Sequence, residues 1–217
     1  VSVIYVPILL RYLGQSEYGL YQIVGSFFSY ISVFESCMST GVLRNYCNAL
    51  GSQDREAADV TLSMAKVIYR VMAVLMAIVG VVVLFAFRRF YASSFSAAEM
   101  KESSAILLLL FANMMVTMLG SVYLTILTGH EKFTFLKVLA IIIQVAQPFF
   151  VILCVRKIPY AITVSTVIVV LNVLTVLMRY LYVTHKLKIK IVKKKKKRKV
   201  IREIVGLSAT ILLGCIA

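Results

Sequence analysis

Long apolar stretches alternate with short polar segments along the whole chain, and this alternation predicts a series of membrane-spanning helices. Each complete stretch has roughly the twenty apolar residues needed to cross the hydrocarbon of a bilayer. Helices are expected, because the backbone of a single segment in lipid can satisfy its own hydrogen bonds only as a helix. We therefore predict an all-α membrane protein with spans at about residues 1–12, 20–43, 67–87, 105–127, 133–155 and 160–183.

The two ends of the sequence predict a fragment of a longer protein. The first stretch, 1–12, is too short to span, and no charged segment precedes it as in a signal peptide. The last stretch, 203–217, has the start of a seventh span and then stops. We predict a six-helix N-terminal transmembrane lobe at 1–185 with its first helix truncated, a polybasic linker at 186–202, and the truncated start of a second lobe at 203–217.

The polybasic linker, Lys186–Arg202, contains eleven of the 24 lysine and arginine residues. Anionic headgroups on the cytoplasmic side attract each such cation by roughly 1 kcal/mol, so we expect the linker and the N-terminus to be cytoplasmic. The segments then predicted inside carry seventeen cations and those outside carry six, in agreement with the positive-inside rule. A nucleic-acid-binding tract is the alternative, but the linker lies between two apolar stretches.

The composition is typical of a membrane protein, and the sequence contains no set of residues typical of a catalytic site. Hydrophobic residues make up 61% of the chain and charged residues 15%, against about 25% in a typical soluble domain. No paired carboxylates, Ser–His–Asp set or glycine-rich phosphate loop is present. We expect no enzyme, no cofactor and no metal site. Nor do we expect a disulfide framework, because the four cysteines are widely separated and lack CxxC spacing: Cys37, Cys47, Cys154 and Cys215.

Glu35 is the only acid inside any complete predicted span. Ionisable residues in a membrane are costly and are therefore candidates for function. Glu35 could couple transport to H⁺ or Na⁺. It could instead pair with a neighbouring arginine such as Arg70, which would be a purely structural role.

A cationic group is predicted at the cytoplasmic mouth of the lobe, formed by Arg44, Lys66 and Arg70. Lys66 and Arg70 are four residues apart and therefore share a helix face. Guanidinium groups match the oxygens of phosphate, so a cavity lined by these residues would suit a phosphate or pyrophosphate. The alternative is that the long side chains reach out to lipid headgroups.

Small and polar residues recur at helical spacing in several spans. Such stripes serve helix packing in many membrane proteins, and they could also line a polar path for a sugar. The sequence leaves both interpretations open. The clearest members are Asn113, Thr117, Gly120 and Ser121 in the fourth span, Gln144 in the fifth, and Asn172 and Thr175 in the sixth.

The segment Arg11–Leu20 reads RYLGQSEYGL. This R-Y-L-G-x-x-E-Y-G-L pattern after a first span resembles the start of bacterial polysaccharide flippases (Wzx/RfbX-like). These belong to the multidrug/oligosaccharidyl-lipid/polysaccharide exporter (MOP) superfamily. Glu35 departs from the family, which more often has Asp before the glycine of the second span, and the lysine run is unusually long. Weaker matching positions are Gly41, Arg44 and Tyr46, then Gly129 and Phe133, and finally 201–204.

The resemblance implies two six-helix lobes around a central cavity that opens alternately to each side. It implies translocation of undecaprenyl-pyrophosphate-linked oligosaccharide across the bacterial inner (cytoplasmic) membrane, for O-antigen, other lipopolysaccharide or capsule biosynthesis. In this interpretation Arg44 and Arg70 attract the pyrophosphate, Asn113, Gln144 and Asn172 contact sugar hydroxyls, and Glu35 couples an ion. The expected partners are the lipid-linked oligosaccharide, anionic phospholipids at 186–202 and other polysaccharide-assembly membrane proteins, with no nucleic acid.

Three alternatives remain at the level of sequence. The first is a cation-coupled exporter of drugs or metabolites from the same superfamily, with Glu35 as the coupling acid. The second is a membrane polymerase or ligase of glycan assembly, although such an enzyme should have a larger outer loop than 88–104. The third is a membrane-anchored scaffold that uses its linker on anionic lipid.

Overall fold

The computed structural model describes residues 35–90, 97–157 and 160–189, together with positions 22, 32, 33, 206 and 210. The predicted first span, the motif at 11–20, most of the second span, linker residues 190–202 and nearly all of 203–217 lie outside the described residues. Throughout the described part the secondary structure is helical, which confirms the all-α fold class. The helices are α1 at 35–51, α2 at Arg55–Phe90, α3 at Ala97–Gly129, α4 at Phe133–Lys157 and α5 at Ala161–Leu181, which continues as a π-helix at Tyr182–Lys186.

Short polar turns separate the first helices, as the sequence around GSQDREAAD suggests. Gln53 has a positive φ of 55°, and the next residue, Asp54, caps α2. The Asp54 Oδ1 atom accepts a hydrogen bond of 2.9 Å from the backbone N–H of Ala57. This satisfies one of the free donors at the start of a helix, so α2 begins at Arg55, well before its apolar stretch.

The segment 88–104, predicted to be a loop, is partly helical, since α3 begins at Ala97. The residues AAEMKE at 97–102 are good helix formers, and they carry the helix beyond the apolar stretch. A turn with Glu131 at φ 56° joins α3 to α4.

Four helices in the described part are long and apolar enough to cross a bilayer, which supports a multi-pass membrane protein. Large apolar side chains are exposed along much of α2 and α4, including Val82 at 61% and Val145 at 63%. Lipid can cover such side chains at no cost, unlike water. The four candidate spans are Arg55–Arg89, Met100–Gly129, Phe133–Arg156 and Ile162–Lys186.

The described residues fall into two compact units. The first unit contains those within Val74–Thr117 and Lys137–Thr175. The second unit contains those within Ser29–Ala73, Met118–Leu136 and from Val176 on. The helices α2, α3, α4 and α5 contribute residues to both.

Glycines allow close helix contacts inside each unit. In the second unit, a Cβ atom at Gly120 of α3 would lie 2.5 Å from Val176 Cγ2 of α5. In the first unit, a Cβ atom at Gly80 of α2 would lie 2.8 Å from the ring of Phe111 on α3. These glycines therefore serve helix packing, the use that small residues commonly have in membrane proteins.

Candidate substrate site

A carboxylate–hydroxyl contact joins α1 to α3 in the second unit. Ser121 Oγ donates a hydrogen bond of 2.6 Å to Glu35 Oε1. A hydrogen bond to a charged carboxylate is among the stronger ones in proteins, and this one replaces part of the water that Glu35 loses on burial. Glu35 thus has a fixed neutral partner, and no ion pair to Arg70 occurs among the residues that the structure describes.

Tyr69 adds a buried hydroxyl from α2 beside that contact. Its side chain is 0% exposed, and no hydrogen bond of standard geometry to its Oη atom occurs within the described part of the chain. The hydroxyls of Ser39 and Thr125 lie beside it, and Glu35 is within electrostatic range.

Arg179 of α5 lies within electrostatic range of the same carboxylate. It interacts electrostatically with Glu35, yet the two side chains form no ion pair in the described structure. The Nε atom of Arg179 is buried and, among the described residues, lacks a hydrogen-bond partner. A guanidinium carries five donors and stays charged at any physiological pH, so an unused buried donor is unusual.

Arg70, one of the predicted pyrophosphate residues, is exposed although it lies within a candidate span. It acts electrostatically on Tyr123 of α3. Tyr123 in turn meets Tyr180 of α5 edge to face, with ring centroids 5.3 Å apart. Arg44, the other predicted pyrophosphate residue, is exposed on α1 in the same unit.

The three predicted sugar-contacting residues belong to the first unit, and the structure brings two of them together. Asn172 Nδ2 of α5 lies 2.7 Å from Asn113 Oδ1, 2.7 Å from Thr117 Oγ1 and 3.2 Å from the carbonyl oxygen of Asn113. The third, Gln144, is exposed on α4. The amide of Asn172 therefore ties α5 to α3, and Gln144 remains a polar group on an apolar helix face.

The polar ends of α1, α2 and α3 enclose a cleft in the second unit. Tyr46, only 2% exposed, has its Oη atom 3.1 Å from Nε2 of His130 in the turn after α3. The Tyr46 ring packs so closely on Gly129 that a Cβ atom there would lie 2.6 Å away. The cleft measures about 940 Å³, and its lining includes Asp54, Asp59, His130 and Leu187.

Acidification is expected to weaken the Tyr46–His130 contact. Burial, helped by nearby Lys132, lowers the pKa of His130 below its ordinary value of 6.5, so the unfolded chain takes up the proton first. The folded state should therefore lose stability as pH falls below about 6.5, and regain it as pH rises. Burial also raises the pKa of Tyr46 to about 12, which keeps its hydroxyl neutral throughout.

Thermal unfolding of the full-length protein in detergent, measured between pH 7.5 and 5.5, checks this. The loss of thermal stability on acidification should be smaller in His130→Gln, because glutamine keeps a hydrogen-bonding side chain but does not titrate. A pH slope that is unchanged in the variant would assign the loss to other groups.

Several site residues were not singled out as functional by the sequence. Ser121 and Thr125 are one helical turn apart, which is a usable signal, but Tyr69 is one of 12 tyrosines with nothing to distinguish it. Arg179 is a cation within the candidate span Ile162–Lys186. Its proximity to Glu35 depends on helices that are far apart in sequence, so spacing alone could not reveal it.

Comparison with known proteins identifies the fold of this chain. No protein-family model and no curated protein matches the sequence. Solved structures do match, each at 14% identity and over 98% of this chain. One is a multidrug resistance MATE family transporter of the MOP superfamily in an outward-facing conformation, with a TM-score of 0.72.

Two further matches share the same superfamily fold. A MOP superfamily transporter from Pyrococcus furiosus, described as having a binding pocket of reverse polarity, gives a TM-score of 0.73. A MATE protein in complex with MaD3S gives 0.68. This chain spans about half of each, at 48%, 48% and 49% of their lengths. The chain therefore has the fold of one half of a MATE transporter of the MOP superfamily.

Proposed function

We propose that this chain is one lobe of a membrane transporter that moves a lipid-linked oligosaccharide across the bacterial cytoplasmic membrane by alternating access. The shared fold supports transport, because the solved proteins that have it are transporters. The motif at 11–20 supports a polysaccharide flippase within that fold. The substrate would be an undecaprenyl-pyrophosphate-linked oligosaccharide for O-antigen or capsule synthesis.

The observation that carries the substrate class is a pair of exposed arginines in the second unit. Arg70 is exposed within the otherwise apolar span Arg55–Arg89, and Arg44 is exposed on α1. A charge at such a position is costly unless it lines a water-filled space or meets an anion. Both residues suit the pyrophosphate, because guanidinium groups bind phosphate oxygens in a bidentate manner.

The Glu35–Ser121 contact favours a second candidate, a cation-coupled exporter. A carboxylate with nearby hydroxyls supplies the oxygen ligands that a hard cation prefers, and it also provides a site for a proton. One solved protein with this fold is described as a multidrug resistance MATE family transporter, which is compatible with an exporter. Deletion of the gene separates the candidates, since loss of surface glycan indicates the flippase and loss of drug resistance indicates the exporter.

The flippase proposal predicts that Arg70→Gln, in the full-length gene returned to a deletion strain, lowers surface glycan. Losing one charged hydrogen-bonded contact of about 1.5 to 3 kcal/mol corresponds to roughly a tenfold or greater loss of transport. Arg44→Gln should act in the same direction. The measurement is quantification of surface glycan at matched protein expression.

Arg156→Gln is the matched control, because it removes the same charge from an exposed position at the end of α4. It should leave the glycan level within the range of the unaltered gene. Equal losses from Arg70→Gln and Arg156→Gln would count against a pyrophosphate contact at Arg70. An unchanged glycan level after gene deletion would reject the flippase itself.

A further inference from the structure

We propose that Phe135, Tyr182 and Lys186 form a headgroup site for an anionic phospholipid where α4 begins and α5 ends. The inference does not depend on the proposed substrate, because the ligand is a lipid of the bilayer itself. It also differs from the lipid contact predicted from the sequence for 186–202, which needs positive charge alone. Here two helices build the site, and Phe135 contributes from outside the basic segment.

The two helix ends that carry the site lie side by side in the second unit. The Phe135 ring stacks on the Tyr182 ring, with centroids 4.1 Å apart and ring planes at 26°. Phe135 is near the start of the candidate span Phe133–Arg156, and Tyr182 is near the end of the candidate span Ile162–Lys186. The stacked pair therefore lies at the membrane–water interface, where amphipathic rings such as that of tyrosine are enriched.

The ammonium group of Lys186 lies above this pair of rings. Its Nζ atom is 5.9 Å from the centroid of the Tyr182 ring, just inside the range of a cation–π contact. Contact with one ring face leaves N–H donors of the ammonium group directed away from the ring. The Lys186 side chain is exposed, so these donors can meet phosphate oxygens, which lysine binds as a point charge.

The order of side chains along the end of α5 matches the order of groups in a phospholipid. Met178, Tyr182 and Lys186 recur every four residues and therefore follow one face of the helix. Met178 is 44% exposed inside the span, Tyr182 is half-buried near its end, and Lys186 is exposed at its last position. An acyl chain would contact Met178, the glycerol would lie beside the tyrosine ring, and the phosphate would reach Lys186.

An anionic phospholipid fits this arrangement better than a neutral lipid or a soluble anion. A zwitterionic headgroup has a cation of its own, which competes with the Lys186 ammonium group for the phosphate. A soluble phosphate would make no use of the exposed Met178. Basic pockets at the ends of membrane helices bind acidic headgroups in other proteins. A polyprenyl diphosphate has similar chemistry, and the experiment distinguishes it from a phospholipid.

Photo-crosslinking tests the proposal at the site itself, so lipid bound to the lysines of the linker does not obscure the result. The full-length protein is placed in phosphatidylcholine vesicles that contain a small fraction of phosphatidylglycerol with a diazirine on its headgroup. After illumination, peptide mapping by mass spectrometry measures the label on 132–135 and 178–186. The label on Tyr160, an exposed tyrosine at the other end of α5, gives the background.

The label on the site should exceed this background, and a phosphatidylcholine probe with the same diazirine should label the site less. Lys186→Gln should lower the label roughly fivefold, the loss expected from removing one cation beside an anionic surface. Tyr182→Leu should lower it by roughly two- to fivefold, because the cation–π contact is lost. Lys186→Arg should keep the label. Lys188→Gln, which removes the same charge from a nearby exposed position, should leave it unchanged.

Equal losses from Lys186→Gln and Lys188→Gln would overturn the proposal, because they would indicate diffuse attraction to the whole basic segment. Equal labelling by the two probes would overturn it as well. A label that farnesyl diphosphate removes and excess unlabelled phosphatidylglycerol does not would assign the site to a polyprenyl diphosphate instead. Melting temperatures identify misfolded variants. If Tyr182→Leu is unstable, Lys186→Gln decides, since it changes an exposed side chain.

Discussion

Tyr46→Ala is expected to destabilise the protein by about 3 to 5 kcal/mol, the cost of truncating a buried aromatic side chain. The Tyr46 ring is 2% exposed and fills the space against Gly129, where a Cβ atom would lie 2.6 Å from it. Its hydroxyl contacts His130 at 3.1 Å and so ties the end of α1 to the turn after α3. Thermal or denaturant unfolding of the full-length protein in detergent measures the loss.

Tyr46→Phe separates the two parts of this contribution. Phenylalanine keeps the packing against Gly129 and removes only the hydrogen bond, so a loss of about 1 kcal/mol is expected. If the Phe variant were as unstable as the Ala variant, the hydrogen bond rather than the ring would hold this region together. If both variants were as stable as the unaltered protein, the packing around Gly129 would have no importance for stability.

Asn172→Leu is expected to cost about 2 kcal/mol. The Asn172 amide lies within hydrogen-bond distance of three acceptors on α3, two on Asn113 and one on Thr117. Hydrogen bonds between helices in membranes contribute about 0.6 kcal/mol each on average and up to about 1.7. Unfolding of the full-length protein in detergent again provides the measurement.

Gln144→Leu is the control for this change. It also replaces an amide by leucine, but at an exposed position on α4, so stability should be unchanged or slightly higher. Surface glycan then tests the sugar-binding prediction independently. A Gln144→Leu protein that is stable but transports poorly would support a sugar contact, whereas an Asn172→Leu protein with normal stability would contradict the tie between α3 and α5.

The helical architecture can be predicted from the sequence, because the backbone of a long apolar stretch in lipid can satisfy its hydrogen bonds only as a helix. The predicted span 105–127 lies inside α3 and the predicted span 133–155 inside α4, each within a few residues of its end. The segment GSQDREAAD indicates the start of α2, but the start of α3 was predicted too late, because hydropathy reports where the bilayer is and helix formers such as those at 97–102 continue beyond it.

The partners within the site were harder to predict than the residues themselves. Glu35 and Arg70 were recognised as costly charges, but the contact of Glu35 with Ser121 joins helices that are 86 positions apart. A stripe of small residues indicates which face of a helix makes close contacts, but it does not show which helix lies against that face. In α3 that face serves several neighbours, since Asn113 meets α5 and Ser121 meets α1.

The π-helical turn that ends α5 has a consequence for the lysines that follow it. The carbonyl groups of Tyr182 and Val183 accept hydrogen bonds from the backbone N–H groups of Leu187 and Ile189. Two of the carbonyl groups at this helix end are thus satisfied by the main chain. Lys188 is exposed, so its ammonium group can meet water or an anionic surface.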